Sequence, residues 1–313
     1  MPFELHLPSE AVIEANGFGG KEIIAIAERV GANASGETLT TVMTSCHVGT
    51  LDPGPYPFLE AGPGKPNWNK LLWTDLLVAM LRLRIESFPS LLPGEQVLEA
   101  KPGQPPPPAP RTVGRTYEFV LSCECCRQLC GGEIDLADLL ADPDHCRPLP
   151  DASKARIAAS QFFPLEVPGV GKVLFDLRRA EHDAPMRALL KREGRRKETD
   201  VESIAKRLKR VDAGGGKVYE QNDLRGMWRW CCGLSGDAID QLLAGMEAAE
   251  GGLDTEITAW CDNMEQCGRE QRISLPFGRT FFRPRAGTRK GATHRLGSSA
   301  ASSPASAPTS GET

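Results

Sequence analysis

Six of the ten cysteines in this chain fall into two clusters whose spacing suits a thiolate metal site. The first reads Cys123-Glu-Cys125-Cys126-Arg-Gln-Leu-Cys130-Gly131-Gly132, the second Cys261-Asp-Asn-Met-Glu-Gln-Cys267-Gly268. A structural zinc takes four soft ligands in a tetrahedron, commonly two from each of two hairpin tips. Cys123 and Cys126 have knuckle spacing, and Cys126 and Cys130 a less typical version of it. Five residues separate Cys261 from Cys267, and about 134 residues separate the clusters, far more than in a compact ribbon. Two readings therefore stand. In one, Cys123, Cys126, Cys261 and Cys267 hold one structural zinc, with Cys125 and Cys130 as alternates. Four protein ligands would then leave no open position for catalysis. In the other, the thiols are reduced, on hairpins whose apolar flanks supply core.

The remaining cysteines carry weaker signals. Cys231 and Cys232 follow Trp228 and Trp230 in an apolar segment and read as small buried hydrophobes. Cys46-His47 and His145-Cys146 read as loop thiols with a neighbouring histidine. Enzyme signatures are thin. Gly17-Phe18-Gly19-Gly20-Lys21 and Gly214-Gly215-Gly216-Lys217 do not complete a phosphate loop. Gly233-Leu234-Ser235-Gly236 has Asp237 where a nucleophile elbow needs its second glycine. The five histidines share no triad or ligand spacing, and His182 beside Asp183 reads as part of a helix start. The expectation is a protein that is not an enzyme.

The elements that must position these cysteines are legible in the apolar pattern. Tyr117, Phe119 and Leu121 alternate as a half-buried strand running into Cys123, and the chain leaves through Ile134 and Leu136. Phe163, Leu165 and Val167, then Val173, Phe175 and Leu177, flank Pro168-Gly169-Val170-Gly171 as a hairpin. Strand character returns at Glu256 to Trp260 and at Arg272 to Phe277, on either side of the second cluster. Between lies a helical block, residues 181–250. Asp183 and Pro185 mark its first helix, and Thr199-Asp200-Val201-Glu202 fits a capping box with Val201, Ile204, Leu208 and Val211 on one face. Gly214-Gly215-Gly216 marks a turn, and Ser235 caps a helix whose Ile239, Leu242, Leu243 and Met246 form a stripe. This order predicts an α+β protein in which β-hairpins with cysteine knuckles, as in a zinc ribbon, flank a helical block.

Ahead of the first cluster, residues 1–100 read as a mixed α/β region. Gly20 to Val30 reads as a short helix, Asp52 to Pro66 as a loop, and residues 68–85 as a buried helix capped by Asn67. Residues 101–116, with the run KPGQPPPPAP, read as a Pro-rich linker or exposed insertion. Residues 117–180 carry the first knuckle and hairpins, 251–285 the second knuckle and last strands. Residues 286–313, rich in Ser, Ala and Pro toward the end, read as a disordered tail.

Composition narrows the class. No apolar run is long enough to span a membrane, and MPFELHLPSE lacks the apolar core of a secretion signal. Cysteines without an export signal suit the reducing cytoplasm. The net charge of −4 conceals two basic stretches, Arg187 to Arg210 and Arg279 to Arg295. In the first, Lys206, Arg207 and Arg210 are expected to form an exposed basic face that binds a partner.

The order of segments is itself a signature. Along the chain come Leu7-Pro8-Ser9, Gly54-Pro55-Tyr56, the TDLLVAMLRLR core of residues 74–84, and the first cysteine cluster leading into Glu133-Ile134-Asp135-Leu136. GKVLFDLRR at 171–179 follows, then the basic helical block, Asp254 before the second cluster, Leu275-Pro276-Phe277 and Phe281-Phe282-Arg283-Pro284. This series resembles the baseplate hub assembly proteins of T-even-type phages and of contractile phage tail-like injection systems, over roughly residues 3–285. The resemblance implies a non-enzymatic assembly factor, or chaperone, that binds baseplate hub or spike proteins. It would work in the bacterial cytoplasm or stay in the assembled particle. The family's two Cys-x-x-Cys knuckles are matched by Cys123 and Cys126, and by Cys261 and Cys267-Gly268 with a widened spacing. Reversing charge at Lys206 and Arg210 is then expected to weaken hub binding without unfolding the chain. The competing class is a zinc-ribbon nucleic-acid binder, disfavoured by the acidic net charge and by basic runs without interleaved aromatics. A metal-dependent hydrolase, which needs an open coordination site and a nearby base, ranks last.

Overall fold

Alternating apolar residues at the N-terminus build a three-stranded antiparallel sheet. Strands β1 (Phe3–His6) and β2 (Val12–Ala15) pair, helix α1 (Gly36–Cys46) crosses back, and β3 (His47–Asp52) joins the far side of β2. Leu5, Ile13 and Ala15 are fully buried beneath it. The structure, a computed structural model, describes residues 2–20, 22, 36–60, 65–97, 109–195, 198–213, 217–261, 267–275 and 279–282. Most of the expected Gly20–Val30 helix and of the proline run at 101–110, together with the Gly214–Gly216 turn and the tail, lie outside these residues.

The central helix begins later than its apolar pattern suggests. Trp68–Lys70 form a single 3-10 turn, whose Asn67 side chain accepts from the backbone N–H of Asn69 at 3.2 Å. Leu71 and Leu72 are then extended, and helix α2 runs over Trp73–Ser87. The break has a partner: Leu72 bridges to Arg179, and the Trp73 N–H donates to the Arg178 carbonyl at 2.8 Å. Backbone bonds to a distant segment satisfy groups that another helical turn would have paired internally. Leu72, Leu76, Met80 and Leu83 are buried as their spacing implies.

Strands β4 (Thr116–Ser122) and β5 (Leu129–Asp135) pair in full register, with Leu121 opposite Cys130. Gly132 faces Phe119, and a Cβ there would overlap the phenyl ring. Before the hairpin, Leu92 N–H donates to Arg111 and Val113 N–H to Ser90, at 3.1 and 2.9 Å. Residues 90–92 and 111–113, on either side of the proline run, thus lie side by side. Helix α3 (Leu136–Ala141), short strand β6 (Cys146–Arg147) and helix α4 (Asp151–Ala158) lead to the expected hairpin of β7 (Phe163–Val167) and β8 (Gly171–Phe175).

Beyond helices α5 (Asp183–Arg192) and α6 (Asp200–Ala205) the helical block is interrupted. Strands β9 (Leu208–Asp212) and β10 (Val218–Glu220) extend the hairpin into a four-stranded sheet ordered β10-β9-β8-β7. Leu208 and Val211, expected on a helix face, are buried on β9 instead, because the edge of β8 that β7 leaves open offers them a ladder. The capping signals hold: Glu202 accepts from the Thr199 N–H at 2.8 Å, and Ser235 from Ala238 N–H at 3.3 Å. Helices α7 (Leu224–Cys232) and α8 (Gly236–Glu250) follow. Strand β11 (Gly252–Leu253) pairs with β6, β12 (Glu256–Trp260) pairs with β13 (Glu270–Ser274), and helix α9 (Arg279–Phe282) closes the described chain.

This is an α+β protein with antiparallel sheets. One apolar core runs from Leu5 to Phe282, and the cysteines form a second, separate cluster. Arg84 of α2 ties the core together. Buried to 1% exposure, it donates to the carbonyls of Gly114, Thr116 and Phe281 and lies over the rings of Tyr117 and Phe281. None of the described helices is long and apolar enough to cross a membrane.

Candidate metal centre

The two cysteine hairpins meet sulfur to sulfur. Strand β4 delivers Cys123 because Tyr117, Phe119 and Cys123 share its inward face. Strand β12 delivers Cys261 in the same way, after Ile257 and Ala259. Both turns then reverse through the left-handed region at the residue after the second cysteine: Arg127 has φ 62° and Gly268 φ 54°. The first turn closes with Arg127 N–H on the Cys123 carbonyl at 2.9 Å and Cys123 N–H on that of Gln128 at 2.8 Å. The second closes with Cys261 N–H on Arg269 at 3.0 Å. Between them, the Glu124 N–H donates to Gln271 Oε1 at 3.1 Å.

Across this junction Cys123 Sγ is 3.6 Å from Cys267 Sγ, and Cys126 Sγ is 3.5 Å from Cys261 Sγ. All four sulfurs lie within 4.8 Å of one another, close enough to hold a metal ion. The expected set is therefore brought together despite the wide spacing of its second half. The backbone N–H groups of Cys126 and Cys125, with the neighbouring thiols of Cys267 and Cys126, bring the Cys123 thiol down to about 6. A thiolate at neutral pH is the form that binds metal. Of the alternates, Cys125 is exposed, whereas Cys130 is buried with its Sγ 3.6 Å from that of Cys261. Strand alternation from Tyr117 and the register of the hairpin carry that signal for Cys130. Nothing in the sequence marks Gln271 as the bridge between the turns.

The proposed basic face requires correction. Lys206 and Arg207 are 5% and 3% exposed. Lys206 Nζ sits 2.8 Å from Asp183 and 2.5 Å from Glu198, while Arg207 pairs with Glu250 at 2.9 Å and donates to the Ser203 carbonyl. Both cations neutralise carboxylates brought near from other elements, so neither presents a surface to a partner. Arg210 alone of the three is exposed, 3.8 Å from Glu220 on the neighbouring strand. The helix-face assignment failed because residues 208–212 form a strand.

Other titratable groups serve the fold. Glu202 is buried and accepts from Thr199, Trp228 Nε1 at 2.7 Å and Arg195. Burial opposes its charge, but these donors hold its carboxyl below the usual range. Asp176, Glu181 and His182 also cluster, yet Arg179 and Lys209 reach Asp176 at 3.3 and 3.9 Å and already supply its positive partners. Cys231 and Cys46 are buried thiols pushed up to about 12, chiefly by burial, as a small hydrophobe should be. Cys232, expected to be buried with Cys231, is exposed. A cleft of about 550 Å³ lies beside Trp73, Arg178, Glu247 and Glu250. Its Glu250 is committed to Arg207 and to the Arg178 N–H.

Compared with known proteins, the chain matches no family model, no curated protein and no solved structure.

Proposed function

We propose that this chain is a non-enzymatic assembly factor that acts by protein–protein binding, its two cysteine hairpins locked by one structural zinc. The observation that carries the zinc is the sulfur geometry. Zinc–sulfur bonds of about 2.3 Å in a tetrahedron place sulfurs about 3.8 Å apart. The pairs at 3.5 and 3.6 Å therefore need to open only slightly to accept the ion. Cys123, Cys126, Cys261 and Cys267 would supply all four ligands. A site so closed holds chain segments together and leaves no position for substrate or water.

The assembly role rests on the resemblance in segment order to baseplate hub assembly proteins. On that reading the partner is a hub or spike protein of a phage tail or contractile injection system, met in the bacterial cytoplasm. The test is a pull-down of the tagged chain from cells expressing the neighbouring genes, with metal determined on the same sample. Recovery of a hub or spike protein with about one zinc per chain is the expected result. Recovery of nucleic acid alone, with affinity falling steeply as salt rises, would replace the reading by a zinc-ribbon nucleic-acid binder.

A further inference from the structure

Beside the four sulfurs stands a fifth. Cys130 lies on β5, 1% exposed, and its Sγ is 3.6 Å from Cys261 Sγ. That is the separation of Cys123 from Cys267 and nearly that of Cys126 from Cys261. It also approximates one edge of a metal–thiolate tetrahedron, about 3.8 Å. Cys261 is thus flanked by two thiols at ligand spacing, Cys126 and Cys130. The Cys130 thiol also lies 3.7 Å from the Gln128 carbonyl, a long contact for a weak donor.

The two hairpins bring their ligands at different entropic cost. Cys123 and Cys126 share one tight turn, and Cys130 is held by the β4–β5 ladder. Five residues separate Cys267 from Cys261 in sequence, against two between Cys123 and Cys126, and closing a longer segment costs more chain entropy. From this arrangement, and resting on the metal reading above, we infer that Cys130 is a reserve ligand. The ion is held by Cys123, Cys126 and Cys261, with either Cys267 or Cys130 as the fourth thiolate. In the exchange the Cys130 S–H loses its proton to solvent as its sulfur bonds the metal. The Cys267–metal bond breaks, and the freed thiolate takes up a proton. No electron moves and the charge of the site is unchanged. A reserve on a rigid strand compensates for the widened second knuckle.

The test compares four full-length chains: the natural sequence, Cys267→Ser, Cys130→Ser and the double variant. Each is loaded with Co²⁺, passed through gel filtration, and read by metal per chain and by the thiolate charge-transfer and d–d bands. The single variants are expected to keep one ion and a four-thiolate spectrum, and the double variant to lose both. A Cys267→Ser chain that loses the ion, shows a three-thiolate spectrum or fails to fold overturns the inference while leaving the metal reading intact. So does a double variant that keeps four thiolates. A natural chain that takes no Co²⁺ overturns the metal reading and this inference together.

Discussion

At the scale of single residues, the knuckles depend on backbone geometry as much as on sulfur. Arg127 and Gly268 occupy equivalent left-handed positions. A residue with a Cβ pays about 1–2 kcal/mol there, which glycine avoids. Gly268→Ala should therefore lower stability by about 0.5–1 kcal/mol in urea denaturation, the left-handed strain being offset in part by the freedom that alanine removes from the unfolded chain. Arg127→Gly should raise it by a similar amount, about 0.5–1 kcal/mol, since glycine relieves the strain but loses more freedom on folding. Asp75 offers a second test. It is 1% exposed, accepts from the Ser9 N–H and the Tyr56 hydroxyl, and burial pushes its carboxyl up from 3.8 to about 6. The folded chain thus holds a proton that the unfolded chain has already shed between those values. Stability from this group is fully present below pH 3.8 and is lost as pH rises through about 6. Asp75→Asn cannot lose a proton. Its stability relative to the natural chain should improve by on the order of 2–3 kcal/mol between pH 4 and 7. A flat difference across that range would show that Asp75 does not titrate there.

At the scale of elements, the buried cations join helices to the sheet. Lys206 follows α6 and faces Asp183 at the start of α5 and Glu198 before α6, while Arg207 reaches Glu250 at the end of α8. Truncating one partner of a buried pair leaves the other charge uncompensated. Lys206→Ala should cost roughly 3–5 kcal/mol, and Lys206→Glu should prevent folding by setting three carboxylates together. Arg210→Glu, at an exposed strand position, should change stability by no more than about 0.5 kcal/mol. Thermal unfolding of the three variants checks the ranking. This replaces the expectation that charge reversal at both Lys206 and Arg210 leaves the fold intact.

At the scale of the whole molecule, a metal ion would close the chain on itself. The β4–β5 hairpin is anchored by Arg84 and by Tyr117 against Phe281, whereas β12–β13 meets it through the cysteines and the Glu124–Gln271 bond. Removing the ion with a chelator should speed amide exchange in residues 117–135 and 256–275. Exchange in α1 and β3 should be unaffected, since none of their residues belongs to the cysteine cluster. Uniform acceleration would instead mean that the metal stabilises the fold globally. No change in either hairpin would mean that no ion is bound.

What the sequence by itself determined is local. The β4 strand, the β7–β8 hairpin, the Thr199–Glu202 cap and the Ser235 cap each depend on residues a few positions apart, so periodicity and capping chemistry suffice to find them. Tertiary structure alone decided the rest. Leu71 and Leu72 leave the helix because Arg178 and Arg179 offer backbone partners more than a hundred residues away. Residues 208–212 become a strand because β8 is there to pair, and Lys206 is buried because Asp183 and Glu198 converge on it. The cysteines belong to both scales. Their spacing marked the ligand set, but only the meeting of two hairpins brings Cys123 to Cys267 and places Cys130 beside Cys261. Pairing across such separations is decided by the packing of the whole chain, and short-range periodicity carries no trace of it.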